Sequence, residues 1–455
     1  MNIGLFTDTY LPQISGVATS IKTLKDQLEL LGHTVYIFTT TDPLMTTEDL
    51  EKESNTIVRL PSVPFMAMPE RRFAVAGLGA ALKIARDYQL DIIHTQTEFG
   101  VGILGKLVAN QLKIPVIHTL HTKYEDYLHY LAGGRLIKPG AVKYVIRTFL
   151  LGTEGVICPS EMTEETVQGY GVKAPTRIIP TGIEIERFKR SDITAEDIAA
   201  LRKKLDITKD ETMLVSLSRL SYEKNIQAVI RAMALVVQHL PARLVIAGHG
   251  PYKDTLINLV TELGLEDYVT FVGPIPNDNA ALYYKAADFF ISASTSETQG
   301  LTFSEAIAAG TPVLAAENPY LRRLVNKAEF GRLFASDADI ADVILAAIRQ
   351  EGPMNADDYE KKCYEMSAEA FGKNVVSFYD YMIENYKPLR ARAADNFREN
   401  SGKMLSAVGN LGTTTTDRIK KDSVRVAAQV RHTPTRIAKI AKKYGRINRN
   451  KKKED

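Results

Sequence analysis

Two carboxylates flank a glycine in the segment 296–305, which follows a predicted strand and opens a predicted helix. Glu297 and Glu305 stand eight residues apart, and Gly300 lies between them at the start of the helix. Glycine lets the backbone come close to a ligand, and the free amides of a helix start attract anions such as a diphosphate. The segment therefore predicts an anion site on the amides of residues 300–302. Glu305 could accept hydrogen bonds from sugar or ribose hydroxyl groups. A capped, solvated helix with two surface acids is the alternative.

Two cations bracket a second strand-to-helix turn. Arg219 and Lys224 come directly after the predicted strand Met213–Ser216, and Gly248 follows the next strand, Arg243–Ala247. Ligands bind at the carboxyl edge of open α/β sheets, so these turns lie where a ligand is expected. Two fixed cations there would neutralise a leaving diphosphate. The competing interpretation is that both are surface cations in solvent.

Two further polar segments follow predicted strands in the first half of the chain. Gly16 ends a loop between the first strand and the first helix, where its backbone could contact a phosphate, although a plain loop is the alternative. The loop is not a G-x-G-x-x-G sequence, which disfavours dinucleotide binding of the Rossmann type. His121 belongs to a histidine-rich patch after the strand Val116–Thr119, a position typical of catalytic residues. A histidine with satisfied hydrogen bonds is the commoner case.

Short apolar runs alternate with helical patterns along the chain. Near-continuous Val, Ile and Leu runs are typical of parallel sheets covered on both faces, and strand–helix alternation implies right-handed crossovers. Helices are predicted over Phe73–Arg86 and, late in the chain, over Phe371–Tyr386. The fold class is therefore predicted to be α/β, with two Rossmann-like domains. The predicted strands are Ile3–Phe6, Val35–Thr39, Asp91–His94, Val116–Thr119 and Gly155–Cys158, then Met213–Ser216, Arg243–Ala247, Tyr268–Val272, Phe289–Ser292 and Pro312–Ala315.

A change in charge separates the body of the chain from its end. Residues 387–455 carry 19 Lys and Arg against 6 Asp and Glu, whereas the whole chain of 455 residues has a net charge of only +3. We predict a first domain over residues 1–185, which is joined by a helix at 368–386, and a second domain over 186–367. Residues 387–455 are predicted to form a basic, partly disordered tail.

The composition excludes several classes of protein. Two cysteines, Cys158 and Cys363, are too few for a disulfide scaffold or a Cys-rich metal site. The N-terminus lacks the pattern of a signal peptide, and no stretch reaches the roughly 18 apolar residues of a spanning helix. We therefore expect a cytoplasmic protein.

Taken together and in this order, these segments resemble family 4 of the retaining glycosyltransferases over residues 1–386. Residues 7–20, 119–127 and 283–302 resemble in particular the diacylglycerol glucosyltransferases of Gram-positive bacteria. The resemblance implies a GT-B type fold of two facing Rossmann-like domains, an inter-domain cleft and a C-terminal crossover helix. It implies transfer of glucose from UDP-glucose to the 3-hydroxyl of 1,2-diacylglycerol. The product would be α-monoglucosyl-diacylglycerol, a glycolipid and lipoteichoic-acid anchor.

The same resemblance assigns roles to site residues. It implies that Arg219 and Lys224 hold the UDP diphosphate, Glu297 contacts the donor glucose, Glu305 contacts the ribose and His121 lines the sugar site. The expected catalytic residues are His121, Glu297, Arg219 and Lys224. The expected donor-binding residues are Gly16, Arg219, Lys224, Gly248, Glu297, Thr298, Gln299, Gly300, Leu301, Thr302 and Glu305.

The chemistry expected of this set needs no cofactor. No Asp-x-Asp motif is placed to bind the diphosphate, so protein cations should replace a catalytic metal, and UDP-glucose is the only small molecule required. No residue is an obvious covalent nucleophile, which favours front-face retention with a phosphate oxygen helping to deprotonate the acceptor. Thr298 and Gln299 stand where relatives often have other residues, and this bears on sugar preference.

A lipid acceptor requires contact with the membrane. Lys138, Lys143 and Arg147 interleave with apolar residues in a helical stretch of the interfacial type, and Arg71 and Arg72 suggest a second contact. Each cation near an anionic leaflet contributes about 1 kcal/mol, and the basic tail adds to this. The expected partners are a UDP-sugar, diacylglycerol and an anionic lipid surface, with no specific nucleic acid, at the inner face of the cell membrane. An ordinary amphipathic core helix is the alternative.

Two other functions stay open. One is a family 4 transferase that adds another hexose to a glycolipid or to a soluble acceptor. The other is a nucleotide-sugar or nucleic-acid binder without transfer activity. A pure binder would not need a leaving-group clamp beside a sugar pocket, so the cations and carboxylates favour transfer.

Overall fold

Two parallel β-sheets, each covered by helices on both faces, form the described part of the protein. The computed structural model describes residues 1–388 apart from residues 14, 43–44, 66–67, 75–76, 123–138, 295–298, 350–351 and 353. For residues 47, 64–65, 68–71, 73, 139–142 and 277 it describes the backbone alone. The predicted tail, from residue 389 onward, lies outside the described residues. The prediction of an α/β fold with two Rossmann-like domains is confirmed.

Nine strands belong to the first half of the chain. Seven of them form one parallel sheet, and the fourth and fifth form a separate antiparallel hairpin. The strands are β1 (Asn2–Phe6), β2 (Thr34–Thr40), β3 (Ile57–Leu60), β4 (Ser62–Phe65), β5 (Met68–Ala74), β6 (Ile92–Thr95), β7 (Val116–Thr119), β8 (Gly155–Cys158) and β9 (Thr176–Ile178). The order in the parallel sheet is β3-β2-β1-β6-β7-β8-β9, so β1 is flanked by β2 and β6. The carboxyl ends of β1, β6 and β7 therefore meet at one edge.

Helices fill the connections of the first sheet. The first of them begins where the Ser15 hydroxyl accepts the amide of Ala18 at 3.1 Å, and it buries Ile21, Leu24 and Leu28 on the sheet, at helical spacing. The helices are α1 (Gly16–Leu30), α2 (Thr47–Lys52), α3 (Leu78–Asp87), α4 (Gly100–Leu112), α5 (Pro139–Leu150) and α6 (Glu161–Gly169).

The hairpin corrects one sequence-based prediction. A helix was expected over Phe73–Arg86, but Phe73 pairs with Val63 in the hairpin, and α3 begins only at Leu78. Gly77 has a φ of +128°, a backbone conformation that favours glycine and lets the strand turn into the helix. The start of the predicted helix is therefore wrong, because strand pairing overrides the local apolar pattern.

The second half of the chain repeats the strand–helix alternation. Its six strands are β10 (Thr212–Leu217), β11 (Ala242–Ala247), β12 (Val269–Gly273), β13 (Phe289–Ser292), β14 (Val313–Ala316) and β15 (Gly331–Phe334). They form one parallel sheet in the order β12-β11-β10-β13-β14-β15. Its helices are α7 (Ile185–Lys189), α8 (Ala195–Lys204), α9 (Ile226–Val236), α10 (Lys253–Leu263), α11 (Ala280–Ala286), α12 (Leu301–Ala308), α13 (Pro319–Leu324), α14 (Ile340–Arg349), α15 (Ala356–Met366) and α16 (Ala368–Glu384).

Helix α16, the last of the described helices, completes the core of the first sheet. Phe371, Val375, Phe378 and Met382 are buried there against apolar residues of β1 and α1. Each such side chain contributes about 1.5–3 kcal/mol when removed from water. Gly155 of β8 makes room for this packing, because a Cβ there would lie 2.7 Å from the Phe378 ring. The chain thus leaves the first domain and returns to it after the second sheet is complete.

The two chain crossings between the sheets are tied together. The Ile183 amide donates to the Met366 carbonyl at 2.9 Å, and the Ala368 amide donates to the Ile183 carbonyl at 2.8 Å. Gly182 is required here, because a Cβ would lie 2.2 Å from the Ser367 carbonyl oxygen. The outgoing and returning segments therefore form one short parallel bridge. Among the described helices, none combines the length and apolar character that crossing a bilayer requires.

A buried hydrogen bond connects α16 to the first sheet. The Tyr379 hydroxyl lies 2.7 Å from Nδ1 of His94, whose Nε2 lies 2.7 Å from the Thr119 hydroxyl. All three side chains are buried. Burial, with His118 and His121 nearby, holds the pKa of His94 well below its ordinary value, so the ring is neutral.

Replacing Tyr379 with Phe should destabilise the protein without changing its fold. The substitution leaves a buried imidazole nitrogen without its hydroxyl partner, and such a loss costs about 1–3 kcal/mol. We expect the free energy of unfolding to fall by that amount, measured by urea unfolding followed by circular dichroism. Tyr381→Phe is the matched control, because Tyr381 lies exposed on the same helix. Equal effects of the two variants would contradict the role of the buried bond.

Candidate functional site

The loop after β10 carries the two predicted cations. Arg219 is exposed and Lys224 is half-buried at the end of a short 3-10 turn over Tyr222–Lys224. Asn225 follows with a φ of 51° and leads directly into α9. Both cations therefore lie between the carboxyl end of β10 and the start of α9, at the edge where the sequence predicted them.

Two glycines after β11 hold this loop in place. A Cβ at Gly248, which has a φ of +142°, would lie 1.9 Å from the Ser218 carbonyl oxygen. A Cβ at Gly250 would lie 2.1 Å from the Leu220 carbonyl oxygen. The two loops thus pack backbone against backbone, and Arg219 lies between the two points of contact. Gly248 has a structural reason to be glycine, and its predicted contact with the donor stays a prediction.

The loop after β13 leads into α12 through Gly300. Gly300 is the N-cap residue with a φ of 74°, and no described side chain caps the helix there. The first amides of a helix attract anions, and the predicted anion site at the start of α12 stays a prediction. Leu301 and Thr302 are half-buried. Glu297 and Thr298 lie outside the described residues.

Glu305 is held by a buried tyrosine. The Tyr284 hydroxyl donates to Oε2 of Glu305 at 2.9 Å, and Tyr284 is fully buried. Burial raises the pKa of Glu305, and the bond to Tyr284 partly offsets this. One carboxylate oxygen is thus fixed by the protein, and the side chain has a defined direction on α12.

Gln299 makes contact with the first domain. Its Oε1 accepts the Thr181 amide at 2.8 Å, and its Nε2 donates to the Thr181 carbonyl at 2.7 Å. The Thr181 hydroxyl lies 2.8 Å from that of Ser20 in α1. The loop before α12, the segment before the bridge at Ile183 and the first helix are therefore linked, although they lie far apart in sequence.

Gly16 is the first residue of α1. It is exposed, and a Cβ added there would meet no described atom within 4 Å. Packing within the described structure therefore does not require glycine at this position. Open space at a helix start suits a ligand that approaches the backbone closely, and the predicted phosphate contact stays a prediction.

Three histidines lie at or near the edge formed by β6 and β7, and only one is partly exposed. His94 and His118 are fully buried, and His118 contacts the Thr95 hydroxyl at 2.9 Å and a Glu98 carboxylate oxygen at 3.2 Å. His121 is half-buried, with Nε2 lying 2.7 Å from Oε1 of Gln96. Burial, with His118 nearby, lowers the pKa of His121 to about 3, so its ring is neutral at physiological pH.

Gln96 and Asp8 were not among the predicted site residues. Nε2 of Gln96 is buried and has no described hydrogen-bond partner. Asp8 accepts the Thr97 hydroxyl at 2.6 Å and the Val101 amide at 2.9 Å, and so it caps the start of α4. Burial raises the pKa of Asp8. A polar residue just after a buried strand is the signal that would have pointed to both.

The predicted membrane contacts are only partly described. Lys143 and Arg147 are exposed on α5, whereas Lys138 lies outside the described residues. The side chain of Arg71 also lies outside them. The guanidinium of Arg72 donates to the Ser62 hydroxyl at 2.8 Å and to the Ser62 carbonyl at 2.7 Å, so it bridges the hairpin.

The structure thus groups the predicted residues at the carboxyl edges of the two sheets. Arg219, Lys224, Gly248 and the start of α12 share the edge of the second sheet, and His121 lies at the edge of the first. Within the described residues, no group of three or more His, Cys, Asp and Glu side chains is arranged to hold a metal ion. The expectation of a reaction without a metal stays a prediction.

The neutral state of His121 predicts a dependence of stability on pH. An unfolded histidine has a pKa of about 6.5, whereas the folded value is about 3. Protonation therefore favours the unfolded state, and stability should be lost as the pH falls from about 6.5 toward 3. The loss approaches about 1.4 kcal/mol per pH unit for this one group. Urea unfolding at pH 7.5, 6.5 and 5.5 should show a shallower loss in His121→Asn than in the unchanged protein.

His239→Asn serves as the control for that measurement. His239 is exposed in the loop after α9, so its replacement controls for the loss of a histidine at the surface. If His121→Asn and the unchanged protein lose stability in parallel, the neutral state of His121 is refuted.

Comparison with known sequences shows relatives that match most of the chain. The alpha-monoglucosyldiacylglycerol synthase of Streptococcus pneumoniae is 54% identical over 388 residues, which are 85% of this chain and 87% of that protein. The protein of the same name from Acholeplasma laidlawii is 31% identical and covers 86% of this chain and 100% of its own length.

Solved structures match the fold at low sequence identity. The structure of Anabaena HepE in complex with UDP has a TM-score of 0.68 at 18% identity, and it covers 84% of this chain and 100% of its own. The sucrose-phosphate synthase of Thermosynechococcus elongatus has a TM-score of 0.64 at 23% identity, with coverages of 84% and 99%. These structures support the arrangement of two Rossmann-like domains.

Two sequence models cover the two domains separately. The model described as Glycosyltransferase Family 4 matches residues 14–187, and the model described as Glycosyl transferases group 1 matches residues 197–370. The first match contains Gly16 and His121, and the second contains Arg219, Lys224 and Glu305. Together with the relative that is 54% identical, these matches show that the chain belongs to family 4 of the glycosyltransferases.

Proposed function

We propose that this protein transfers glucose from UDP-glucose to the 3-hydroxyl of 1,2-diacylglycerol with retention of configuration, which gives α-monoglucosyl-diacylglycerol. The proposal rests on one observation above all, the 54% identity to a relative named alpha-monoglucosyldiacylglycerol synthase. The second relative of that name has 31% identity over its whole length. The product would serve as a glycolipid and as an anchor for lipoteichoic acid.

The donor is proposed to be a UDP-sugar held by the second domain. A structural neighbour, Anabaena HepE, was solved with UDP and with UDP-glucose. In the protein described here, the loop of Arg219 and Lys224 and the start of α12 supply positive charge and free amides at one sheet edge. Such groups bind a diphosphate well because they are charged or oriented before the ligand arrives.

Leaving-group stabilisation is the main catalytic effect in this proposal. As the bond between the anomeric carbon and the phosphate oxygen breaks, negative charge builds on UDP. Arg219, Lys224 and the amides of α12 would stabilise that charge, and one preorganised donor of this kind contributes roughly 3–4 kcal/mol. These groups would take the place of a metal ion.

Retention is proposed to follow from attack on the same face that UDP leaves. A phosphate oxygen of the leaving group would accept the proton of the diacylglycerol hydroxyl as the new bond forms. His121 is neutral, and its one N–H lies on the Nε2 that contacts Oε1 of Gln96. Its Nδ1 would accept a hydrogen bond from a sugar hydroxyl, with no positive charge beside the developing cation. Glu305, oriented by Tyr284, would accept hydrogen bonds from the ribose hydroxyl groups.

The acceptor requires that the protein reach the bilayer. On α4, Ile103 is 50% exposed and Leu107 46% exposed, and on α5 Tyr144 is 71% exposed. The two helices lie together, because the Lys106 amine of α4 donates to the Leu151 carbonyl just after α5 at 2.8 Å. With the exposed cations Lys143 and Arg147, they form a basic and apolar surface suited to an anionic leaflet. We therefore propose a peripheral protein at the inner face of the membrane.

We call Arg219 and Lys224, the two cations proposed to bind the diphosphate, the clamp. Removing one of them tests the reaction directly. The unchanged protein is incubated with diacylglycerol liposomes and a panel of UDP-sugars, with and without EDTA, and the product is identified by mass spectrometry and NMR. We expect an α-linked glucosyl lipid, formed at the same rate with chelator. Lys224→Ala should reduce turnover by about 10²–10³-fold, because one charged donor to the leaving group is lost.

Lys204→Ala is the control, because Lys204 is an exposed lysine of α8 in the same domain. It should leave turnover unchanged. Transfer of a different hexose, or to a soluble acceptor alone, would replace the proposal with another family 4 activity. Near-normal turnover in Lys224→Ala would contradict the clamp.

The membrane surface gives a second prediction. The double variant Lys143→Glu with Arg147→Glu reverses two charges, each of which contributes about 1 kcal/mol near an anionic leaflet. We expect binding to anionic liposomes to fall by about tenfold or more, while turnover on detergent-dispersed diacylglycerol is kept. Vesicle sedimentation measures the first quantity and product formation the second.

The matched control reverses Lys203 and Lys204 of α8, which are also exposed neighbours on one helix. Both double variants are compared again in chains that end at Lys387, because the predicted tail carries further cations. Equal liposome binding by the two double variants would refute α5 as the docking surface.

A further inference from the structure

Gln299 occupies a position where a sugar contact was expected, yet its amide is used elsewhere. It directly precedes Gly300, the N-cap residue of α12, and only 5% of it is exposed. Its two polar atoms contact the backbone amide and carbonyl of Thr181 at 2.8 and 2.7 Å. The amide orientation is set by these partners, because an N–H group needs an acceptor and a carbonyl needs a donor.

A buried tyrosine also lies beside Gln299. Tyr320 of α13 is close enough for Gln299 to affect the pKa of its hydroxyl, and that hydroxyl lies 3.3 Å from the Ser304 hydroxyl of α12. Burial of the amide together with these partners leaves little room for a sugar hydroxyl. The Gln299 amide therefore binds the backbone of Thr181 rather than the substrate.

Thr181 lies at the last point of the first domain before the chain crosses over. The next residue, Gly182, packs directly on Ser367, where the chain returns. Ile183 then forms the bridge with the returning segment through two backbone hydrogen bonds of 2.9 and 2.8 Å. The Gln299 side chain binds both backbone groups of Thr181. It thus attaches the start of α12 to the segment that leads into the bridge at Ile183.

The link continues into α1. The Thr181 hydroxyl lies 2.8 Å from that of Ser20, and Ser20 is only 3% exposed. Ser20 is one helical turn beyond Gly16, the residue at the start of α1. The amides at the start of α12 and those at the start of α1 are therefore connected through three side chains and one backbone segment.

We propose that Gln299 is a positioning residue that sets the distance between the two helix starts that face the donor diphosphate. It acts through Thr181 and Ser20 rather than by touching the sugar. The inference rests on the proposed function, since it assumes that one diphosphate is bound from both domains. Loss of the link would leave donor binding to the second domain largely intact and would misplace the groups of the first domain during transfer.

The kinetic test separates positioning from sugar recognition. Gln299→Met keeps a similar volume and removes both hydrogen bonds. With diacylglycerol liposomes we expect kcat to fall by at least about tenfold, because small misplacements at a reacting centre are costly. The KM for UDP-glucose should change by less than about threefold, and the preference for UDP-glucose over UDP-galactose by less than about twofold. A changed preference with normal kcat would overturn the proposal in favour of sugar recognition.

Two further variants test the link from Gln299 through Thr181 to Ser20, which we call the path. Ser20→Ala breaks the link beyond Thr181, so its effect should not add to that of Gln299→Met in the double variant. Ser304→Ala is the packing control, because it removes a buried hydroxyl from the same helix without touching Thr181. Full additivity, or an equal loss in Ser304→Ala, would contradict the path.

The conservative variant Gln299→Glu adds a second measurement, the pH dependence of kcat. A purely structural role of Gln299 in packing would not change it. A protonated carboxyl group can accept from the Thr181 amide and donate to the Thr181 carbonyl, as the glutamine does. An ionised carboxylate repels that carbonyl. The kcat of Gln299→Glu relative to the unchanged protein should therefore rise as the pH is lowered. A constant ratio would count against the proposal.

Hydrogen exchange with UDP alone tests the inference without the lipid reaction. In the unchanged protein, UDP should slow exchange in residues 219–224 and at the start of α1. In Gln299→Met, protection of residues 219–224 should persist while that of α1 is lost. If α1 stays protected in the variant, or is unprotected in the unchanged protein, the proposal fails. If this pattern appears but no glycolipid forms, the proposed function fails while the link stands.

Discussion

The protein depends on the return of α16 to the first domain. Phe371, Val375 and Phe378 of α16 complete a core that β1 and α1 begin, so the first domain is built from both ends of the described chain. The second domain is therefore tied at two points, and the bridge between Ile183 and Ser367 holds these points together. The bridge brings the outgoing and the returning segments together through two backbone hydrogen bonds.

The site itself is made of charge and backbone rather than of nucleophiles. Arg219 and Lys224 lie on a loop that Gly248 and Gly250 hold by direct backbone contact, so the backbone that carries both cations is fixed. The start of α12 adds amides, and Glu305 is aimed by a fully buried tyrosine. Preorganisation of this kind suits a reaction whose main demand is the stabilisation of a departing anion.

Sequence patterns predicted the strands and the loops that follow them, because buried parallel strands are continuous apolar runs. Strands β3, β9 and β15 escaped prediction because they lie at or near sheet edges and are short, with many half-buried residues. Contacts between distant residues escaped it for another reason. Gln299 with Thr181, Asp8 with Val101 and Tyr379 with His94 are separated by 118, 93 and 285 residues, and no local periodicity records such pairs. The chemistry at the strand ends was therefore visible in the sequence, whereas the links that orient it were not.

The place of α16 after the second domain has a consequence for biosynthesis. The ribosome completes the strands of the first sheet before it makes the second domain, and only then does it make the helix that covers Leu24 and Ile21. At about 5–20 residues per second, the interval between Ile183 and Ala368 lasts roughly 10–40 seconds. During that time an apolar groove of the nascent domain stays open to water, to chaperones and to other nascent chains. Maturation of the first domain is thus a late event in translation, although its sequence is the first to emerge.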